Sequence, residues 1–186
     1  GAGPAGSLTT RCPPGRRKAT AHSAVTAGGP TTLAAGVGNN ITLTNAANDL
    51  STVAVTSGNN VSLTDATALG LGASTISGAL TVVTNGAVTQ SGALAVTGTT
   101  TVAAGAANDV TLTNAANDFS TVAVASGNGV ALTDANALDL GASTISGTLA
   151  VNGSGAISQS GSLSVAGVAT VAVGAGNNIT LTDAAN

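Results

Sequence analysis

The sequence predicts an all-β solenoid, in which short strands wind into coils that stack in parallel along one axis. Three observations predict it. The stretch from Thr31 to Asn117 reads again from Thr100 to Asn186. Self-similarity at a fixed period marks a stacked architecture, because each unit buries its apolar face against its neighbours. The composition is poor in bulk: there is no Met, Trp, Tyr or Glu, and Phe119 is the single aromatic. Such a core must be thin and regular, built from Ala, Val, Leu and Ile. Finally, short runs with period-2 polarity recur, separated by Gly, Asn, Asp and Ser, which is the pattern of strands joined by turns.

From the N-terminus, residues 1–30 stand apart. All four basic residues (Arg11, Arg16, Arg17 and Lys18), Cys12, His22 and every proline lie here, and none of these residue types occurs from Thr31 onward. The segment is rich in Pro and Gly and lacks strand alternation, so it reads as a flexible arm, either native or a foreign leader joined to the repeat. It has no apolar run of signal-peptide length, and the chain does not begin with Met, which fits a piece of a longer protein. Cys12 has no partner for an internal disulfide.

Residues 31–186 form the predicted solenoid domain. Gly38-Asn39-Asn40-Ile41-Thr42-Leu43-Thr44 is echoed shortly afterwards by Gly58-Asn59-Asn60-Val61-Ser62-Leu63-Thr64. That spacing suits one coil, so a 69-residue unit is expected to hold about three coils averaging about 23 residues, stacked ~4.8 Å apart. Alternation points Ile41, Leu43, Val53, Val55, Val61, Leu63, Ile76, Leu80, Val82, Val88, Leu94, Val96 and Val102 inward, with their equivalents one unit later. Phe119 stands where the preceding repeat has Leu50, so it reads as a core residue. Asn pairs at the turns suit left-handed backbone and ladders of stacked amides. An antiparallel sandwich fits less well, because no pair of runs is joined by a two-residue hairpin turn.

The polar residues point away from chemistry. The acids are Asp49, Asp65, Asp109, Asp118, Asp134, Asp139 and Asp183. Asp183 matches Asn114 and Asn45, Asp109 matches Asn40 and Asn178, and Asp139 matches Gly70. Where Asn and Asp exchange between repeats, turn formation matters and charge does not. Asp49/Asp118 and Asp65/Asp134 keep their identity, each beside a turn, and read as turn caps. Acid–base catalysis needs a tuned His, Glu or carboxylate pair, and nucleophilic catalysis needs a base beside the Ser or Thr. The repeat has neither, so no enzyme, catalytic residue, metal or cofactor is expected. Cys12 and His22 are too few ligands for zinc, the calcium-solenoid pattern is missing, and Gly36-Val37-Gly38 precedes a strand where a phosphate loop needs a helix.

An acidic rod without stacking aromatics is a poor partner for nucleic acid. No apolar run is long enough to cross a membrane as a helix. The sequons at Asn40, Asn60, Asn152 and Asn178 read as accidents of an Asn- and Thr-rich repeat. One surface pattern offers an alternative function. Outward hydroxyls at Thr42, Thr44, Ser62, Thr64, Thr99, Thr101, Thr111, Thr113, Thr180 and Thr182 would stack in ranks, similar to the ice-binding faces of some antifreeze solenoids. The plainer explanation is that Thr is a soluble β-former on an exposed face.

The motifs at 48–55 (Asn-Asp-Leu-Ser-Thr-Val-Ala-Val, with Phe for Leu at 119), 58–66 (Gly-Asn-Asn-Val-Ser-Leu-Thr-Asp-Ala) and 71–78 (Leu-Gly-Ala-Ser-Thr-Ile-Ser-Gly) carry a resemblance. They resemble the repeats of very large bacterial exoproteins of the filamentous haemagglutinin type, secreted adhesins of two-partner secretion systems. The resemblance covers residues 31–186, without that family's N-terminal secretion domain. It implies a right-handed parallel β-helix, export across the outer membrane, and a structural or adhesive role as a piece of shaft in a secreted or cell-surface protein. The implied partners are a host or surface glycan or protein. Asn186 falls inside a repeat, and an open coil end would also favour end-to-end stacking into filaments. A non-functional, low-complexity fragment is the remaining alternative.

Overall fold

The structure, a computed structural model, describes residues 8–11, 18–21 and 23–186. Every regular element among them is a strand, and every strand pairing is parallel. Strands are short because the apolar runs are short: Asn40–Leu43, Val61–Asp65 and Leu69–Leu71 are representative. Each is ended by a turn rich in Gly, Asn, Ser or Asp. Parallel pairing of successive runs requires a return path, and here the return path is the other side of the same coil.

Two long sheets result. One has nine strands and the other has eight along its main path; a third, two-stranded piece pairs Ser143–Ile145 with Leu163–Val165. Down one sheet, Ile41 faces Val61 and Val61 faces Leu80. Down the other, Val110 faces Val130 and Val130 faces Leu149. Eight steps across the nine-stranded sheet correspond to a stack roughly 38 Å tall at ~4.8 Å per step.

The register revises the expected coil. The shortest circuits run as from Val122 to Leu140 and the longest as from Thr26 to Asp49, with Ile41 to Val61 and Val61 to Leu80 lying between. Each circuit crosses both sheets, so half a coil is about ten residues. The 69-residue unit then spans seven half-coils, or three and a half coils, where about three were expected. The odd half-coil has a visible effect. Ile41, Val53, Leu80 and Val88 each lie on the opposite sheet from their equivalents Val110, Val122, Leu149 and Ile157. Equivalent residues are therefore related by a half-turn about the axis and a rise of about 17 Å.

The core follows the alternation. All the inward positions named from the first repeat are buried, as is Phe119. Their equivalents are buried too, apart from Val165 and Val171, which are half-buried in the last turns and pack at the edge of the same cluster. The boundary expected near residue 30 needs correcting. Thr26–Ala34 is a nine-residue strand paired to Asp49–Ser57, Lys18–Thr20 pairs with Asn40–Leu43, and Leu8–Arg11 pairs with the strand at Thr31. Stacking thus begins before Thr31, because Thr26-Ala27 and Pro30–Leu33 continue the outward–inward alternation. Pro30 is exposed on this strand. Cys12, Arg16, Arg17 and His22 lie outside the described residues.

The turns also differ from expectation. No residue other than glycine has positive φ among the described residues; Gly36, Gly105 and Gly176 take that role, at φ 90°, 88° and 85°. The Asn residues act through their side chains instead. Asn39 Nδ2 donates to Ala35 O at 2.7 Å and Asn108 Nδ2 to Ala104 O at 2.7 Å, closing the same loop in two repeats.

Candidate functional site

Polar side chains at the corners join one coil to the next. The buried carboxylate of Asp65 accepts from Leu50 N in the adjacent coil at 2.7 Å and from Thr67 N at 2.9 Å. Asp134 repeats this with Phe119 N at 2.7 Å and Asn136 N at 3.0 Å. Burial pushes the Asp134 carboxyl above its ordinary value; the two backbone N–H donors pull it partly back, and the nearby Asp118 charge adds a smaller upward push. Asn48, fully buried, reaches three coils: its Oδ1 accepts from Val25 N at 2.9 Å, and its Nδ2 donates to Leu43 O at 3.1 Å and Thr64 O at 3.0 Å. Asn117 does the same with Leu94, Leu112 and Thr133. Ser74 and Ser143 accept from Val55 N and Val124 N, both at 2.9 Å.

The positions where Asn and Asp exchange behave alike. Asn45, Asn114 and Asp183 each accept, through Oδ1, from the backbone N two residues on, at 2.9, 2.9 and 2.8 Å. Asn40 Oδ1 accepts from Asn60 N at 3.1 Å, and Asp109 Oδ1 from Gly129 N at 2.9 Å. Each of these bonds is accepted by an oxygen that Asn and Asp share, so the bond itself does not need the charge.

The outward hydroxyls form one rank. Thr20, Thr42, Ser62, Thr81 and Thr101 face one another in succession on the eight-stranded sheet, and Ala123 ends the column. Thr20 and Thr81 were not among the residues expected there. The other expected positions disperse. Thr64 faces Val83, Thr99 faces Thr121, and Thr111 lies on the opposite sheet facing Ala131. Thr44, Thr113, Thr180 and Thr182 lie outside the strands. The scatter follows from the half-turn between repeats, since positions one unit apart cannot share a face.

A groove of about 420 Å³ opens at one corner, where Ser74–Ile76, Leu94–Val96 and Asp118–Phe119 stack. Ile76, Val96 and Phe119 turn inward and leave backbone as the floor. The outward residues on either side make two rims: Thr75, Ala95 and Asp118 on one, Ser77, Thr97 and Ser120 on the other. Asn136 closes the end and donates to Asp118 Oδ1 at 3.0 Å. The register slips between Val96 and Thr99, so the strand bulges at Gly98 and bends the wall. A Cβ on Gly98 would sit 2.8 Å from the backbone of Gly78, so only glycine allows this approach. The sequence signal for the site was that Asp118 keeps its identity with Asp49. The bulge has its own mark: Gly98 recurs as Gly29, where the register slips in the same way between Ala27 and Pro30.

The chain matches a family of repeats of unknown function, DUF5649, at residues 18–57, 58–126 and 127–186. The chain belongs to this family. The second and third family units begin at Gly58 and Gly127, the two glycines that make isolated parallel bridges to Ile76 and Ile145. The family unit at 58–126 has the length of the internal repeat, and the first unit starts at Lys18, within the segment that stacks before Thr31. No curated protein and no solved structure matches the chain.

Proposed function

We propose that the chain is a stretch of rigid shaft in a secreted or cell-surface bacterial exoprotein, serving as a spacer and contact surface. The observation that carries this reading is the use made of the polar side chains. Asp65, Asp134, Asn48, Asn117, Ser74 and Ser143 all bond across coils, repeat after repeat. Cross-coil bonding at these corners resists bending and slippage, the property a spacer needs. The resemblance of the motifs at 48–55, 58–66 and 71–78 to filamentous-haemagglutinin-type repeats supports the extracellular setting. Antibodies raised to the repeat should label intact producing cells or their medium, and small-angle scattering of the purified chain should give a rod. Labelling that appears only after permeabilisation, or the scattering of an unfolded coil, would overturn the proposal.

A second reading, ice binding, is favoured by the rank from Thr20 to Thr101. It has one full rank; a companion through Thr64 ends at Val83. Thermal hysteresis above that of a Thr42→Val, Thr81→Val control would support it, and equal values would remove it.

A further inference from the structure

The geometry points to the groove at Asp118 as a binding site for a linear, neutral oligosaccharide lying along the solenoid axis. This rests on the contact-surface part of the proposed function and names the ligand class. The rims offer hydroxyls at Thr75, Thr97 and Ser120, a carboxylate at Asp118 and an amide at Asn136, all exposed. A carboxylate and amides are the groups that bond sugar hydroxyls, accepting and donating in turn. Successive rim residues are one strand spacing apart, ~4.8 Å, so the rim of Ser77, Thr97 and Ser120 offers a repeating row of hydroxyls to a repeating ligand, with Asp118 and Asn136 opposite.

Competing ligand classes fit worse. An anionic polymer needs cations, and every Lys and Arg of the chain lies at or before Lys18. A peptide binds a sheet by adding a strand to an open edge. Here Leu94–Val96 is already paired on both sides, and a chain laid along the axis would cross the strands at right angles and meet no ladder. The equivalent acid, Asp49, accepts from Thr67 Oγ1 at 3.2 Å on the opposite sheet, as Asp118 does from Asn136. The two corners differ otherwise: Gly28 stands where the groove has Thr97, so the full set of rim groups is found at the Asp118 corner.

The test is titration of isotope-labelled protein with cellohexaose, maltohexaose and N-acetylchitohexaose, followed by amide chemical shifts. At least one should give saturable shifts at Thr97, Asp118 and Asn136. Asp118→Ala should weaken that binding about tenfold, the loss expected for a charge-assisted hydrogen bond. Asp118→Asn keeps an oxygen for Asn136 and should fall in between. Circular dichroism would establish that both variants fold. A sulfated hexasaccharide should not compete. No saturable shift with any neutral probe, unchanged affinity in a folded Asp118→Ala, or preference for the sulfated probe would overturn the inference. None of these results bears on the rod measured by scattering.

Discussion

Asp134 Oδ1 accepts the backbone N–H of Phe119 from the neighbouring coil at 2.7 Å, and this bond is buried. The carboxylate is thus a clamp between coils. Removing it strands a buried N–H at Phe119 and a second donor at Asn136. Asp134→Ala should cost about 2–4 kcal/mol in urea unfolding, the sum of an unmet buried donor and a small void. Asp65→Ala, with the same geometry at Leu50, should behave alike.

Folding raises the Asp134 pKa above its ordinary value of 3.8, chiefly by burial. The folded chain therefore holds this proton to higher pH than the unfolded chain. The stability this gives is fully present below 3.8 and is lost as pH rises through the folded pKa. The wild type should gain stability relative to Asp134→Ala as pH falls through that window, measured by urea midpoints. A gap that widens as pH rises would contradict the assignment.

Thr31 and Thr100 are equivalent, fully buried, and leave their hydroxyl oxygens without a hydrogen-bond partner. Thr100 lies between Leu80 and Val122 in the ladder. Thr100→Val replaces the hydroxyl by a methyl of similar shape and should stabilise by about 1 kcal/mol. Ala169, the next equivalent, already lacks the hydroxyl. A destabilised variant in thermal melts would mean that the hydroxyl has a use the fold does not reveal.

Corner glycines should divide sharply. A Cβ at Gly92 would meet Ala73 N at 2.4 Å, and at Gly161 Ala142 N at 2.3 Å, both backbone contacts that cannot yield. Gly92→Ala and Gly161→Ala should each cost about 1–3 kcal/mol or more through overpacking, read from urea midpoints. Gly38 has nothing within 4 Å of its Cβ position, so Gly38→Ala should lie within about 0.5 kcal/mol of wild type.

Much of this was legible in the sequence because inward and outward residues alternate with period two regardless of coil length. Val53, Ile76 and Leu94 could be assigned to the core without knowing which strands they neighbour. The exchange of Asn45 and Asn114 for Asp183 likewise announced a turn that needs one oxygen. The coil count was not legible, since the period of the repeat says nothing of how many circuits divide it. Circuits vary in length as loops such as 36–39 lengthen one side: the circuit from Thr26 to Asp49 includes that loop, and the shorter one from Val122 to Leu140 has no counterpart of it. The hydroxyl rank escapes the sequence for the same reason: Thr42 and Thr111 share a motif and face opposite ways. The groove at Asp118 was not legible from Gly98, because that glycine recurs as Gly29 and Gly167 and the same register slip recurs beside Gly29, so it marks a recurring bulge and not a groove.

The odd number of half-coils gives the array a parity. Gain or loss of a single unit would turn everything downstream to the opposite side, like a half-twist in a ladder. Gain or loss of two would restore the original facing. Length variants that must keep a distal feature on its side should therefore differ by pairs of units, and those that differ by one should have exchanged their front for their back.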